Sequence, residues 1–586
     1  LKKILASLSC FMLVFSLLIP AATAKTSQKE QFQHPDPQSE KAQKGMIKRM
    51  IAQMTDREKI GQLVMPSTFD NGSGMPNEFT KQAIQEYKAG SVIVYGKRTA
   101  EHQAAYNNQL QEWAAETEKA IPLIISADLE YGASQRVPQD ATTFPRQMGI
   151  GATDSLEYAE LVSSITGKEA RAMGFNWNYS PVADVNTNPE NPVIGVRSFG
   201  EDTDLVADMT AAQVIGNQKE GVMASAKHFP GHGDTSVDSH YGIAQVTYDR
   251  DTLDQVHLPP FQAAIDAGTD SIMTAHVIID AIDPELPATL SKKVLTGLLR
   301  DEMGFDGLIV TDAMSMKAID DNWGAGNAAV LAINAGADII MATGNQEDQL
   351  ETFEALYGAY QTGEITKKRV HESLERILAK KFKYNLFEER TVDPEEALEI
   401  TQTPAHKEAA SDIAINSMTL LKNDGVLPFD NQSQETTLVA GTTYINQIGD
   451  KVREKSEGDV TTWSASSADP SETEIGQAVE LAEDADRIIV PTYSASVLPE
   501  GQVNLVKELR ETGKPVAVVS LGLPYDIKEF PEVDAYLASY VLDRWGTANP
   551  TAWTGAVDVI FGENPGGKLP VNIEGLYPMG SGLSYE

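Results

Sequence analysis

The chain has 586 residues, 41% hydrophobic and 22% charged, with a formal net charge of −37. That length exceeds what one core fills, so two domains are expected, and so acidic a surface repels nucleic acid and anionic lipid. The single cysteine, Cys10, sits in an N-terminal leader, so its removal leaves no disulfide, thiol nucleophile, thiolate metal site or iron–sulfur cluster.

Residues 1–24 read as a secretory signal: Lys2 and Lys3, an apolar run from Ile4 to Pro20, and Ala22-Thr23-Ala24 as the small-residue cleavage site. The run is shorter than the roughly 20 apolar residues of a membrane span. Lipidation at Cys10 is disfavoured because most of the apolar region follows the cysteine. The expected protein is secreted, without a stable membrane partner. Residues 25–45 are polar and read as a spacer.

Eight short β-rich runs follow: Gln62–Pro66, Ser91–Tyr95, Leu123–Asp128, Asn176–Val182, Met223–His228, Ser271–His276, Leu308–Asp312 and Asp338–Ala342. Amphipathic segments separate them. Leu156–Met173 has a candidate N-cap at Asp154, Lys293–Met303 ends at Gly304, and Asn327–Ala335 ends at Gly336. Eight strands alternating with helices predict a (β/α)8 barrel over 46–387, closed by a helix near Lys368–Lys383; a doubly wound open sheet is the alternative. Residues 388–409 read as a linker, acidic over its first part. A second α/β unit, 410–586, is expected to hold a mostly parallel sheet covered by helices on both faces. Its strands are Thr437–Ala440, Arg487–Pro491, Val516–Leu521 and Ala535–Ala538, and its helices Glu474–Ala482 and Gln502–Glu511. No nucleotide-binding glycine motif occurs in it.

The densest chemistry lies in KHFPGHGDTSVDSH, residues 227–240, which carries three of the nine histidines. A strand runs into it, and Pro230, Gly231 and Gly233 force a loop. Asp238 and His240 are close enough in sequence for the carboxylate to orient the imidazole. That bond is expected to keep the ring protonated above the ordinary value of about 6.5. The same spacing also fits an ordinary surface pair. His228, His232, Asp234 and His240 could ligate a divalent ion, but Lys227 adds adverse charge beside a cation. Asp312 ends an apolar strand, either as a helix N-cap or as a nucleophile. Asp128 with Arg136, and Arg197 in NPVIGVRSFGED, suit either structural ion pairs or contacts to sugar hydroxyls.

Together these motifs resemble glycoside hydrolase family 3, in particular its bacterial β-N-acetylglucosaminidases. The pattern KH[FY]PGxGx4D[ST]H is matched from Lys227 to His240. The resemblance extends through DLEYG, NPVIGVRSFGED, VTDAMSM, NSMTLLKNDGVLPF and the terminal YPMGSGLSYE. It implies a (β/α)8 barrel followed by an αβα sandwich. By motif, Asp312 corresponds to the nucleophile, His240 to the general acid/base and Asp238 to its partner. Asp128, Arg136, Arg197, Lys227 and His228 correspond to ligands of the terminal sugar. No metal or cofactor is implied. The chain departs from the family at Asp128-Leu129-Glu130-Tyr131-Gly132, where DQEGG is common, and at Ser581, where many relatives carry histidine. The implied substrate is a peptidoglycan fragment with terminal N-acetylglucosamine on N-acetylmuramic acid. A phosphorylase using the same residues, a β-glucosidase or β-xylosidase, and a non-catalytic wall-glycan binder are the alternatives.

Overall fold

The computed structural model describes residues 37–401, 403–494, 496–544 and 550–585. The expected leader lies outside them. The polar segment anticipated as a spacer is helical from Pro37, within a helix that runs to Gln53.

All eight sequence-predicted barrel strands form: β1 (Val64–Pro66), β2 (Ser91–Ile93), β3 (Ile124–Ala127), β4 (Trp177–Asn178), β5 (Met223–Phe229), β6 (Ser271–Thr274), β7 (Leu308–Val310) and β8 (Ile340–Ala342). Strands β2 to β7 make one parallel sheet in chain order, and β1 pairs with β8. Parallel bridges Ser67–Ile93 and Val310–Ile339 join that pair to both sheet edges and close the ring. Every residue of these strands is buried, as in a parallel sheet covered on both faces. A short ladder, Ala244–Val246 with Val277–Ile279, stands apart from the ring.

The helix Leu156–Ala172 is capped by Ser155, whose hydroxyl accepts from the Tyr158 amide at 3.3 Å, not by Asp154. Asp154 has a φ of +49°, outside the extended region an N-cap needs. Much of the expected linker is helical. Pro394–Thr401 packs against the barrel helices, with Ala397 fully buried, and Pro404–Ser417 leads into the second domain.

The second domain holds β9 (Thr419–Asn423), β10 (Thr437–Gly441), β11 (Val460–Ser464), β12 (Arg487–Thr492), β13 (Val516–Ser520) and β14 (Ala535–Ala538), in the order β9-β14-β13-β12-β10-β11. Only β9 is antiparallel to its neighbour. The edge strands β9 and β11 went unpredicted: their sequences, TLLKN and VTTWS, are short and partly polar. Side chains alternate between two cores. Leu438, Ile488, Val490, Val516 and Val518 face the helices 472–483 and 500–511. Val439, Ile489, Ala517, Val519 and Leu537 face the helices 445–455 and 550–560. This period-two split makes an αβα sandwich.

The two domains share apolar packing. Met148, Ala152 and Val196 of the barrel belong to the same core as Leu505, Tyr536 and Leu569. Beside it, Arg146 Nε lies 3.0 Å from Asp543 Oδ2, both side chains nearly inaccessible. This interface fixes the loop after β14 over the C-terminal ends of the barrel strands.

Candidate active site

A cavity of about 710 Å³ opens at those strand ends. A cavity of similar size, about 750 Å³, lies at the opposite end beside Gly174 and Gly221. Arg171 in its lining is ion-paired with Glu389 (2.9 Å), and none of the candidate site residues from the sequence reaches it. The C-terminal cavity collects Asp128, Arg136, Arg197, Lys227, His228, His240 and Asp312. Asp238 stands directly behind His240. Side chains that were far apart in sequence therefore converge where a barrel places its reactive groups.

The floor is a charged lattice. Lys227 Nζ donates to Asp128 Oδ1 at 2.9 Å and pairs with Glu130 Oε1 at 2.7 Å. Arg197 grips Glu130 through two bonds of 2.8 and 3.0 Å, and Arg136 reaches Asp128 Oδ2 at 3.2 Å. Burial alone pushes the Glu130 carboxyl up, but Arg197 and Lys227 hold it well below the usual range. Burial likewise works against the Lys227 ammonium, yet Asp128 and Glu130 hold its proton more tightly than usual.

His228 Nδ1 lies 2.7 Å from Asp184 Oδ2, and His228 Nε2 faces Arg197 Nη2 at 3.5 Å. Asp184 is wholly buried and also accepts the His232 amide at 2.7 Å. The glycines of the motif permit this fold. Gly231 has a φ of +130°, and a Cβ on Gly233 would lie 1.8 Å from the Val185 carbonyl oxygen. His232 bonds Thr235 and Ser239 through its two ring nitrogens, and burial pushes it down to about 4. The histidines considered as metal ligands thus have distinct protein partners, and among the described residues no group of three or more metal-binding side chains is assembled.

Asp184→Ala should be strongly destabilising. It strands the His228 ring and two buried amides, for a cost of about 3–5 kcal/mol. A urea midpoint that drops accordingly is expected; one that stays in place would show that the buried cluster relaxes around the loss.

Asp312 follows β7 and accepts the Ala313 amide at 2.7 Å. His276 Nε2 lies 3.0 Å from the Ala313 carbonyl oxygen and braces that peptide from the next strand end. Burial raises the Asp312 carboxyl, but His228, His276, the Ala313 amide and His240 outweigh it and bring it to about 2. Above that value Asp312 is an anion beneath the cavity.

His240 Nδ1 lies 2.7 Å from Asp238 Oδ1, which also accepts the His240 amide at 2.9 Å. The loop therefore joins the carboxylate to the ring, in the pairing anticipated from the sequence. The expected rise in basicity is reversed. Burial pushes the ring below its usual value and Arg197 adds to this, against the opposing pull of Asp312 and Asp128. The outer Asp238 oxygen is ion-paired with Arg544 of the second domain, so its charge is shared.

Four site residues escaped the sequence reading. Glu130 lies inside the quoted DLEYG motif and carried a signal. Asp184 follows β4 in an otherwise apolar stretch. Asp543 lines the cavity and Arg544 touches Asp238, but both belong to the other domain and have no local signature.

Comparison with known proteins agrees with the two-domain fold. Residues 55–379 match the Glycosyl hydrolase family 3 N terminal domain, and residues 418–578 the Glycosyl hydrolase family 3 C-terminal domain. Beta-hexosaminidase A of Pseudoalteromonas piscicida is 33% identical over 553 residues, covering 85% of this chain and 91% of that protein. The beta-N-acetylglucosaminidase/beta-glucosidase of Cellulomonas fimi is 33% identical over 404 residues, 67% of this chain and 69% of that one. The structure of a family 3 beta-N-acetylglucosaminidase from Paenibacillus sp. str. FPU-7 superposes with a TM-score of 0.80 at 33% identity, covering 89% of this chain and 99% of that chain. With both domains matched and the barrel and sandwich in place, the chain belongs to glycosyl hydrolase family 3 and is a glycoside hydrolase of its β-N-acetylglucosaminidase group.

Proposed function

We propose that the protein is a retaining exo-β-N-acetylglucosaminidase that removes terminal N-acetylglucosamine from peptidoglycan-derived disaccharides outside the cell. One observation carries the mechanism: the anionic Asp312 and the His240–Asp238 pair border the same cavity above the Asp128–Lys227–Glu130–Arg197 floor. The floor supplies donors and acceptors for the hydroxyls of one sugar ring. With the ring seated there, an Asp312 oxygen attacks the anomeric carbon as its bond to the aglycone oxygen breaks. The His240 Nε2 proton passes to that oxygen, since Nδ1 is held by Asp238. Water then gives a proton to the neutral ring and attacks the same carbon. The ester to Asp312 breaks, and two displacements retain the configuration.

The test is a panel of aryl glycosides, assayed with and without phosphate, with the configuration of the first product determined. N-acetylglucosaminides should be preferred, phosphate should be dispensable and the first product should be the β-anomer. Preference for glucosides, phosphate dependence or inversion would each overturn a stated part of the reading. Hydrolysis of a disaccharide of N-acetylglucosamine on N-acetylmuramic acid tests the natural substrate.

The pH profile follows from the two shifted groups. His240 must be protonated for the first step and loses its proton as pH rises through a value below that of a free imidazole. Asp312 must be ionised and is so above about 2. Activity on substrates with poor leaving groups should thus peak at acidic pH and fall on a basic limb below about 6.5. A basic limb of kcat/KM well above 7 would contradict the environment found for His240.

A further inference from the structure

Asp543 and Arg544 follow β14 and sit where the second domain meets the barrel. Their contacts point in two directions. Asp543 pairs with Arg146 at the foot of the interface, and its carbonyl oxygen accepts from the Tyr493 hydroxyl. Arg544 turns towards the mouth of the cavity. Its Nη1 donates to the Pro192 carbonyl oxygen at 2.9 Å, its guanidinium carbon lies 5.5 Å from the centre of the Tyr241 ring, and Nη1 ion-pairs with Asp238 Oδ2. Pro192 belongs to the loop carrying Arg197, and Tyr241 follows His240. One side chain from the second domain thus ties together two barrel loops and the carboxylate behind His240.

We propose that Arg544 is a positioning residue that sets the acid strength of His240 through Asp238. This inference rests on the assignment of His240 as the general acid/base. Asp238 divides its oxygens: Oδ1 takes both the ring Nδ1 and the amide of His240, while Oδ2 faces Arg544. An Asp238 facing His240 alone would hold the imidazolium proton tightly and make a weak acid. A guanidinium on the far oxygen offsets that charge and leaves the carboxylate to orient the ring. The other charges facing His240 are Asp312 after β7, Asp128 after β3 and Arg197 after β4, with the His276 ring after β6. The carboxylates favour the imidazolium, whereas Arg197 and burial oppose it, so Arg544 acts on the same side as Arg197. The low proton affinity of His240 agrees with this arrangement.

The experiment uses the full-length protein and its Arg544→Gln and Arg544→Lys variants, with folding checked by circular dichroism and thermal melting. Each is assayed across pH on phenyl and dinitrophenyl N-acetylglucosaminides. Removing the positive charge should move the basic limb of kcat/KM upward by about one pH unit. The stronger hold on the proton should slow the phenyl substrate about threefold to tenfold and leave the dinitrophenyl substrate nearly unchanged. Arg544→Lys should keep the limb near its original place. In an Asp238→Asn background, Arg544→Gln should produce no further shift, because the carboxylate through which it acts has lost its charge. An unmoved limb with equal losses on both substrates would reduce Arg544 to a structural brace and overturn the proposal. So would a shift that persists without the Asp238 charge. Should Arg544→Gln not fold, an Arg544→Lys limb displaced by as much as one unit would overturn it, and an unmoved limb would support it. His240→Ala is run alongside. If its loss does not depend on the leaving group, the acid/base assignment itself fails; if it does and the Arg544 limb stays fixed, only the present inference fails.

Discussion

Asp312→Ala should abolish turnover, with kcat falling on the order of 10⁵-fold, the scale of removing a nucleophile from a site whose other parts remain. The effect should be nearly the same for phenyl and dinitrophenyl glycosides, because both need the covalent ester. A slow fluorosugar substrate should label Asp312 in the intact protein and no other carboxylate, read by peptide mass spectrometry. Label on Glu130 or Asp128 would displace Asp312 from its role. The structure argues against those two: each is engaged by Lys227, and Glu130 is also clamped by Arg197. Asp312, by contrast, is held on one oxygen by the Ala313 amide. Thermal stability should change little compared with Asp184→Ala, because loss of Asp312 removes one buried anion from beneath an open cavity.

His240→Ala should show the second largest effect, and it should depend on the aglycone. General acid catalysis contributes typically about 10²- to 10⁴-fold. A natural disaccharide or phenyl glycoside, whose leaving oxygen needs a proton, should lose activity on that scale. A dinitrophenyl glycoside departs as a stable anion and should be cleaved in the first step almost as before. The second step still needs a base, so the glycosyl ester should accumulate and a burst should precede a slower steady rate. Equal losses on both substrates, without a burst, would make His240 a structural residue of the loop. Asp238→Asn should reproduce part of the leaving-group dependence, since the amide keeps a contact to Nδ1 but lacks the charge that stabilises the imidazolium.

The barrel was legible because its strands obey a simple rule. Each is buried on both faces and flanked by helices of apolar periodicity, so runs such as LIV and MASAKHF mark their own positions. The strand ends then named their polar residues, and the loop from Lys227 to His240 named its acid–base pair through tight local spacing. Boundaries were less legible. Ser155 displaced Asp154 as a cap because backbone conformation, not side-chain type, decided between two adjacent capping residues. The linker read as acidic over its first part, and the helix that Ala397 anchors against the barrel is a tertiary contact that composition does not encode. The strands β9 and β11 escaped because edge strands need only one paired side and tolerate polar sequence.

The sequence by itself determined the fold class, the family and the residues that converge on the cavity, because each rests on local periodicity or on a motif read within a few residues. Only the tertiary structure decided what those residues experience. Asp238 pairs with His240 as two residues on one loop must, but burial and distant charges set the ring's proton affinity, and the sum runs opposite to the local expectation. Arg544 stands more than 300 positions from Asp238 and reaches it because apolar packing of Met148, Ala152 and Val196 against the sandwich seats the second domain on the barrel. Electrostatic interaction depends on distance in space and on the medium between charges. Neither is a property of spacing along the chain.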